Sequence, residues 1–220
     1  MISDMLTQQK RLNDETNGAN WELGINKFKK EINWPMCIYM ETAELIDSLP
    51  WKHWKDINKE PDINNIKVEL SDIWHFVLSL LLQECSFKTS IKLTQDFCSY
   101  DTSSQFDNKK VQKDAEIFMK KALNIATNDK IKQKDLSQLL QSFFELCASC
   151  QFSLDDLYMV YIAKNCLNKF RQDHGYKDGT YKKNWDGKED NEYLSVVLKS
   201  NKNISFDELY AKLEKIYDKL

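Results

Sequence analysis

Two pairs of acids in this sequence stand three residues apart: Glu41 and Glu44 in ETAE, and Glu69 and Asp72 in ELSD. Residues three apart share a face of a helix, so each pair aims two carboxylates at one point. The segment carrying the second pair, VELSDIWHFVLSLLL, is otherwise almost entirely apolar. Carboxylates on a buried helix are costly unless they are paired or bound to metal. If the two helices pack antiparallel, four acids converge and repel one another. A hard divalent cation removes that repulsion, and an all-oxygen site with room for water suits Mg2+. A single ExxE more often decorates a solvated face, but two such pairs on adjacent helices, one of them buried, point to a metal site.

A second group of residues has the opposite charge. Between Lys164 and Lys188 the chain reads KNCLNKFRQDHGYKDGTYKKNWDGK, rich in Lys and Arg within a protein of net charge −3. Lys164, Asn168 and Arg171 fall at helical spacings on one face. Lys177 and Lys182 follow on a glycine-punctuated loop with Tyr176 and Tyr181. Arg grips phosphate oxygens through two donors, Lys acts as a mobile point charge and Asn adds neutral donors, so the cluster suits a multiply charged phosphate chain. Alone it reads equally well as a solvated helix end facing its own dipole. Beside a four-acid metal site the phosphate reading prevails, because metal and cations would neutralise the same polyphosphate.

Long helices must position these groups. Five Gly and three Pro in 220 residues are too few for a turn-rich sandwich or barrel. The pattern predicts a weakly amphipathic helix from Ile2 to about Leu12, a loop over Asn13–Trp21, and a helix from Pro35 to about Ser48. On the last, Met36, Tyr39, Met40, Ala43 and Ile46 form the apolar face. A buried helix follows over about Ile63–Gln83. Tyr100–Lys110 reads as a variable surface loop dividing the chain into halves. Further helices are expected at Val111–Thr127, Lys134–Cys150, Ser153–Gln172 and Ser205–Lys219, the last two opened by Ser153 with Asp156 and by Ser205 with Glu208. His174–Glu192 reads as irregular. The whole is expected to be one all-α catalytic domain over 1–220, with about 111–150 a candidate helical insertion or subdomain.

Composition excludes several function classes. The net charge argues against a general nucleic-acid binder. No run of about 18 apolar residues suggests a membrane span, and MISDMLTQQKRLNDE lacks the apolar region of a secretory signal. The six cysteines are therefore expected to be reduced and the protein cytoplasmic. Cys147 and Cys150 form a lone CxxC that reads as two small buried residues. There is no GxxxxGK[ST] or GxGxxG, and the three histidines (53, 75 and 174) are too scattered for an imidazole-rich zinc site.

Four stretches, QQKRLNDETNG, YMETAELIDSLPWKHWK, VELSDIWHFVLSLLL and IAKNCLNKFRQDHGYKDGTYKKNWDGKEDN, together resemble the dimeric dUTPases of the all-α nucleoside triphosphate pyrophosphatase superfamily. The resemblance implies a helical-bundle core, a cytoplasmic homodimer, and hydrolysis of dUTP and dUDP to dUMP, which keeps uracil out of DNA. It makes Glu41, Glu44, Glu69 and Asp72 the Mg2+ ligands, with more than one ion expected per site. Glu41, or else Glu44, orients and deprotonates a water that attacks the β-phosphorus. Lys164, Asn168, Arg171, Tyr176, Lys177 and Lys182 fall in the phosphate-binding arm, and Gln9 and Asn13 at the uracil-recognition end. Phe76, one turn after Asp72, is placed to pack on the base or deoxyribose, and His75 to bond the sugar hydroxyl. Trp51, His53 and Trp54 wall the pocket. Ordinary core packing is the competing role for Phe76, His75 and the tryptophans.

Two other readings compete. One is a MazG-like or dCTP-directed pyrophosphatase of the same superfamily, which would keep the acids without QQKRLN or GYKDGTY. The other is a non-catalytic helical interaction protein.

Overall fold

Capping chemistry sets where the helices begin. In this computed structural model, which describes residues 1–55, 58–128, 130–194 and 204–220, Asn33 Oδ1 accepts the Met36 amide at 2.9 Å and opens α2 (Trp34–Asp47). Asp62 does the same for α3 (Ile63–Glu84) through Asn65. Each cap satisfies one of the amides that a helix start leaves orphaned. Every candidate site residue lies among the described residues.

The chain divides into two units, 1–157 and 158–220. The first holds α1 (Ile2–Asn17), a 3-10 turn at Trp21–Leu23, α2, α3, α4 (Phe87–Gln95), α5 (Asn108–Ala126), α6 (Gln133–Ser149) and the start of α7 (Leu154–Asp173). Helix α3 is its centre, packed by α1, α2 and α6, while α5 lies across both α2 and α6. Leu70, Ile73, Trp74, Val77 and Leu78 on α3 have no exposed surface. Trp74 stacks on Phe143 of α6 with ring centres 4.9 Å apart, and its Nε1 lies 3.3 Å from Met5 Sδ of α1. The near-continuous apolar run from Val68 is thus explained by neighbours on several sides.

The second unit contains most of α7, an antiparallel hairpin of β1 (Asn184–Trp185) and β2 (Lys188–Glu189), a helical turn over 190–194, and α8 (Phe206–Tyr217). Its core gathers Phe170, Trp185, Leu194, Leu209 and Leu213. The capping box predicted from Ser205 and Glu208 is present, as is the pairing of Ser153 with Asp156 at the start of α7. The architecture is all-α; the hairpin strands are two residues each.

Four expectations need correction. The stretch from Asn13 to Asn17, read as loop, is helical. Lys10 with Asp14 and Arg11 with Glu15 make four-apart ion pairs, Leu12 and Asn13 are buried, and the helix stops only at Gly18, whose φ of 88° suits glycine. Helix α4 was not expected; it is only nine residues long and mostly polar, and Ser86 caps it through the Thr89 amide. The hairpin within 174–192, read as irregular, was also not expected. Finally, α2 buries Trp34, Ile38, Thr42 and Leu45, whereas Met36 and Met40 of the predicted face are 47% and 48% exposed. Thr42 can be buried because its hydroxyl donates to Ile38 O at 2.7 Å, and the apolar Ile38 and Leu45, also outside the predicted face, are buried with it.

Candidate active site

Antiparallel packing brings the acids of α2 and α3 together. Asp62 N donates to Ser48 O at 2.9 Å, joining the end of α2 to the start of α3. Two turns back from Ser48 lies Glu41, and two turns on from Asp62 lies Glu69. One carboxylate oxygen each from Glu41, Glu69 and Asp72 lies within 4.8 Å of the others. Glu69 is buried at 7% exposure, while Glu41 and Asp72 are half-buried. Glu44 is exposed and stands outside this trio.

Like charges at this separation repel by about 3 kcal/mol per pair at an effective dielectric constant near 20. A divalent cation would relieve that repulsion. Adjacent ligands of an octahedral Mg2+ are about 3 Å apart and opposite ones about 4.2 Å, so the trio would hold such an ion once its side chains close on it. The donors are all oxygen, as a hard cation requires. Glu69 is steadied by Asn65, whose Nδ2 donates to Glu69 Oε1 at 3.0 Å and to Ser48 Oγ at 2.8 Å.

The residues expected at the nucleoside end fall in three places. Gln9 and Asn13 on α1 are both 3% exposed and meet Ser79 of α3. His75 is buried, and its Nδ1 lies 2.8 Å from Ser71 O. A carbonyl only accepts, so Nδ1 carries the proton, and Nε2 is an acceptor when the ring is neutral. Phe76 is half-buried and stacks on Trp34 with centres 6.0 Å apart; Trp34 in turn meets Trp21 edge-on. Trp51, His53 and Trp54 form their own edge-to-face cluster in the loop after α2. Asp47 anchors that loop by accepting from Trp51 Nε1 and pairing with Lys52.

In the second unit the basic arm is organised around one buried carboxylate. Asp190 has no exposed surface, and its two oxygens accept from Arg171 Nε at 2.8 Å and Nη2 at 2.7 Å. The Tyr181 hydroxyl donates to the same carboxylate at 2.8 Å. Arg171 Nη1 donates to Asn168 Oδ1 at 3.2 Å, and Lys164 Nζ to Asn191 Oδ1 at 3.0 Å. The guanidinium sits over the Tyr176 ring, 5.7 Å from its centre. Burial works against charge on Arg171 and on Asp190, but their pairing outweighs it, holding the guanidinium above and the carboxyl below its ordinary range. Burial and the adjacent carboxylate push the Tyr181 hydroxyl up, so it stays a donor. Lys177 and Lys182 are exposed, and Lys182 Nζ donates to Leu220 O.

Spacing alone did not indicate Asn65, Ser79, Asp190 or Asn191. The available signals were a serine inside an apolar helical run and an acidic pair closing a basic segment. Cys147 and Cys150 are buried as expected, and burial pushes the first thiol well up and the second to about 12. All six cysteines are free, and no helix among the described residues is long and apolar enough to cross a membrane.

The family model described as dUTPase aligns with residues 1–176, which include the acids of α2 and α3 and the arm as far as Tyr176. No curated protein matches the chain.

Proposed function

Because the chain belongs to the dUTPase family, with that family's all-α fold and dUTP diphosphatase activity, we propose that hydrolysis takes place where Glu41, Glu69 and Asp72 meet, with Mg2+ as the ion. The observation that carries this reading is the convergence of three carboxylates from two helices, one of them buried. Glu41, Glu69 and Asp72 would hold the ion, and Glu44, one turn along α2, is the acid available to a second ion. When bound, Mg2+ supplies Lewis acidity toward phosphate oxygens and lowers the pKa of water.

Glu41 is the base in this account. It is less buried than Glu69, and its carboxylate takes the proton of an attacking water. The new bond joins the water oxygen to the β-phosphorus, and the bridging bond to the α-phosphate breaks. The products are dUMP with pyrophosphate from dUTP, or with phosphate from dUDP. Lys164, Asn168, Arg171, Tyr176, Lys177 and Lys182 contribute phosphate contacts, a role their charge and donor types support. Gln9 and Asn13 read the uracil, His75 Nε2 accepts from the sugar hydroxyl, and Phe76 packs against the nucleoside with Trp51, His53 and Trp54 nearby.

We place the enzyme in the cytoplasm as a homodimer, acting on the free nucleotide without nucleic-acid or membrane partners. Six free cysteines and the exposed Met36 and Met40 stripe on α2 support that placement. A panel of dUTP, dUDP, dCTP and ribonucleotides with Mg2+ tests the reading. Fastest turnover of the deoxyuridine substrates is expected; faster pyrophosphate release from dCTP would assign the chain to a dCTP-directed enzyme instead.

A further inference from the structure

Ser79 sits in the buried middle of α3 with no exposed surface, and three of its hydrogen-bonding partners are defined. Its Oγ lies 2.8 Å from His75 O, 3.0 Å from Gln9 Nε2 and 2.9 Å from Asn13 Nδ2. A backbone carbonyl cannot donate, so the single hydroxyl proton is spent on His75 O. Toward the two amides Ser79 can only accept. Each amide must therefore turn its NH2 group to Ser79. Proton counting along the network settles the orientation that an isolated amide leaves open.

The consequences differ for the two side chains. Gln9 Nε2 also donates to Asn13 Oδ1 at 3.1 Å, so both its hydrogens are engaged, and whatever else Gln9 meets, it meets through its oxygen as an acceptor. Asn13 keeps one N–H beyond the bond to Ser79. The pair thus offers an acceptor beside a donor. Uracil carries N3–H beside a carbonyl, the complementary order. Cytosine carries a bare N3 beside an amino group, so acceptor would face lone pair and donor would face donor. Were both amides turned over, the order would reverse and cytosine would fit.

Building on the proposal that Gln9 and Asn13 read the base, we infer that Ser79 is a specificity-determining positioning residue that locks both amides in the orientation that accepts uracil and rejects cytosine. It touches no substrate itself; it acts through the amides.

The test compares kcat/KM for dUTP and dCTP in wild type and in Ser79→Ala. With the acceptor gone the amides can turn, and the dUTP-to-dCTP ratio is expected to fall about tenfold or more, partly through a gain on dCTP. Ser79→Thr, which keeps the hydroxyl, is expected to restore the ratio. A loss shared equally by both substrates in Ser79→Ala, leaving the ratio unchanged, would overturn the inference, because that is what a merely structural role predicts. If Ser79→Ala does not fold, Ser79→Cys, similar in size with only a weak acceptor, gives the same comparison. Gln9→Ala separates the two levels. If it collapses the ratio while Ser79→Ala does not, only the role of Ser79 falls. If it leaves the ratio intact, the base-reading proposal falls as well.

Discussion

Asp190 grips Arg171 through both of its carboxylate oxygens, 2.8 Å from Nε and 2.7 Å from Nη2, at a position with no exposed surface. The two residues are nineteen positions apart, so this pair ties the end of the hairpin to α7. It also fixes the guanidinium plane, leaving Nη1 as the edge not committed to the carboxylate. Removing Asp190 would strand a buried cation, a change that costs about 3 kcal/mol or more. Asp190→Ala should therefore lower the melting temperature markedly. Asp190→Asn should raise KM for dUTP if Arg171 serves the phosphates as proposed.

The same pair sets an acid limit. The Asp190 carboxyl is held below its ordinary value of 3.8 in the folded protein. Its contribution to stability is complete above that value and is lost as pH falls from there through the folded pKa. Arg171 is held above its ordinary range, so its charge is constant across this range. Urea titrations at descending pH should show stability falling below about pH 4, and the fall should be shallower in Asp190→Asn. An equally steep fall in the variant would remove Asp190 from the account.

Asn65 is predicted to matter without touching the ion. By donating to both Glu69 and Ser48 it fixes the buried carboxylate against α2. Partners of this kind typically contribute about 10- to 100-fold in metal affinity or activity. Asn65→Ala should weaken Mg2+ binding by that order while the helical circular dichroism is unchanged.

Gly175 turns the chain out of α7 at φ 84°, and a Cβ there would lie 2.0 Å from Thr180 Oγ1. Gly175→Ala meets both backbone strain and a steric clash, and a cost of about 1 kcal/mol or more is expected. Thermal denaturation measures it. The double variant Gly175→Ala with Thr180→Ala should recover only the steric part.

Much of this molecule is readable from its sequence wherever one-dimensional signals and three-dimensional roles coincide. The acids on α3 stood out because charge is rare in an apolar run, and the caps at Ser153 and Ser205 because their acidic partners lie three residues on. What stayed hidden depends on contacts distant in sequence. Ser79 meets Gln9 and Asn13 across about seventy residues, and no spacing rule announces that. The buried face of α2 was misjudged: Ile38, Thr42 and Leu45 form it, and Thr42 can join because it satisfies its hydroxyl inside its own helix. Glu44, equivalent to Glu41 by spacing, stands exposed and outside the trio, which the spacing alone could not show.

Everything proposed for the site requires that Glu41, Glu69 and Asp72 hold one cation together. Calorimetric titration of Mg2+ into the wild type and into Glu69→Gln, each with an unhydrolysable dUTP analogue present, tests it most directly. Saturable binding and a raised melting temperature are expected in the wild type, with both lost in a variant that remains fully helical. Equal Mg2+ affinity in the two proteins would contradict it.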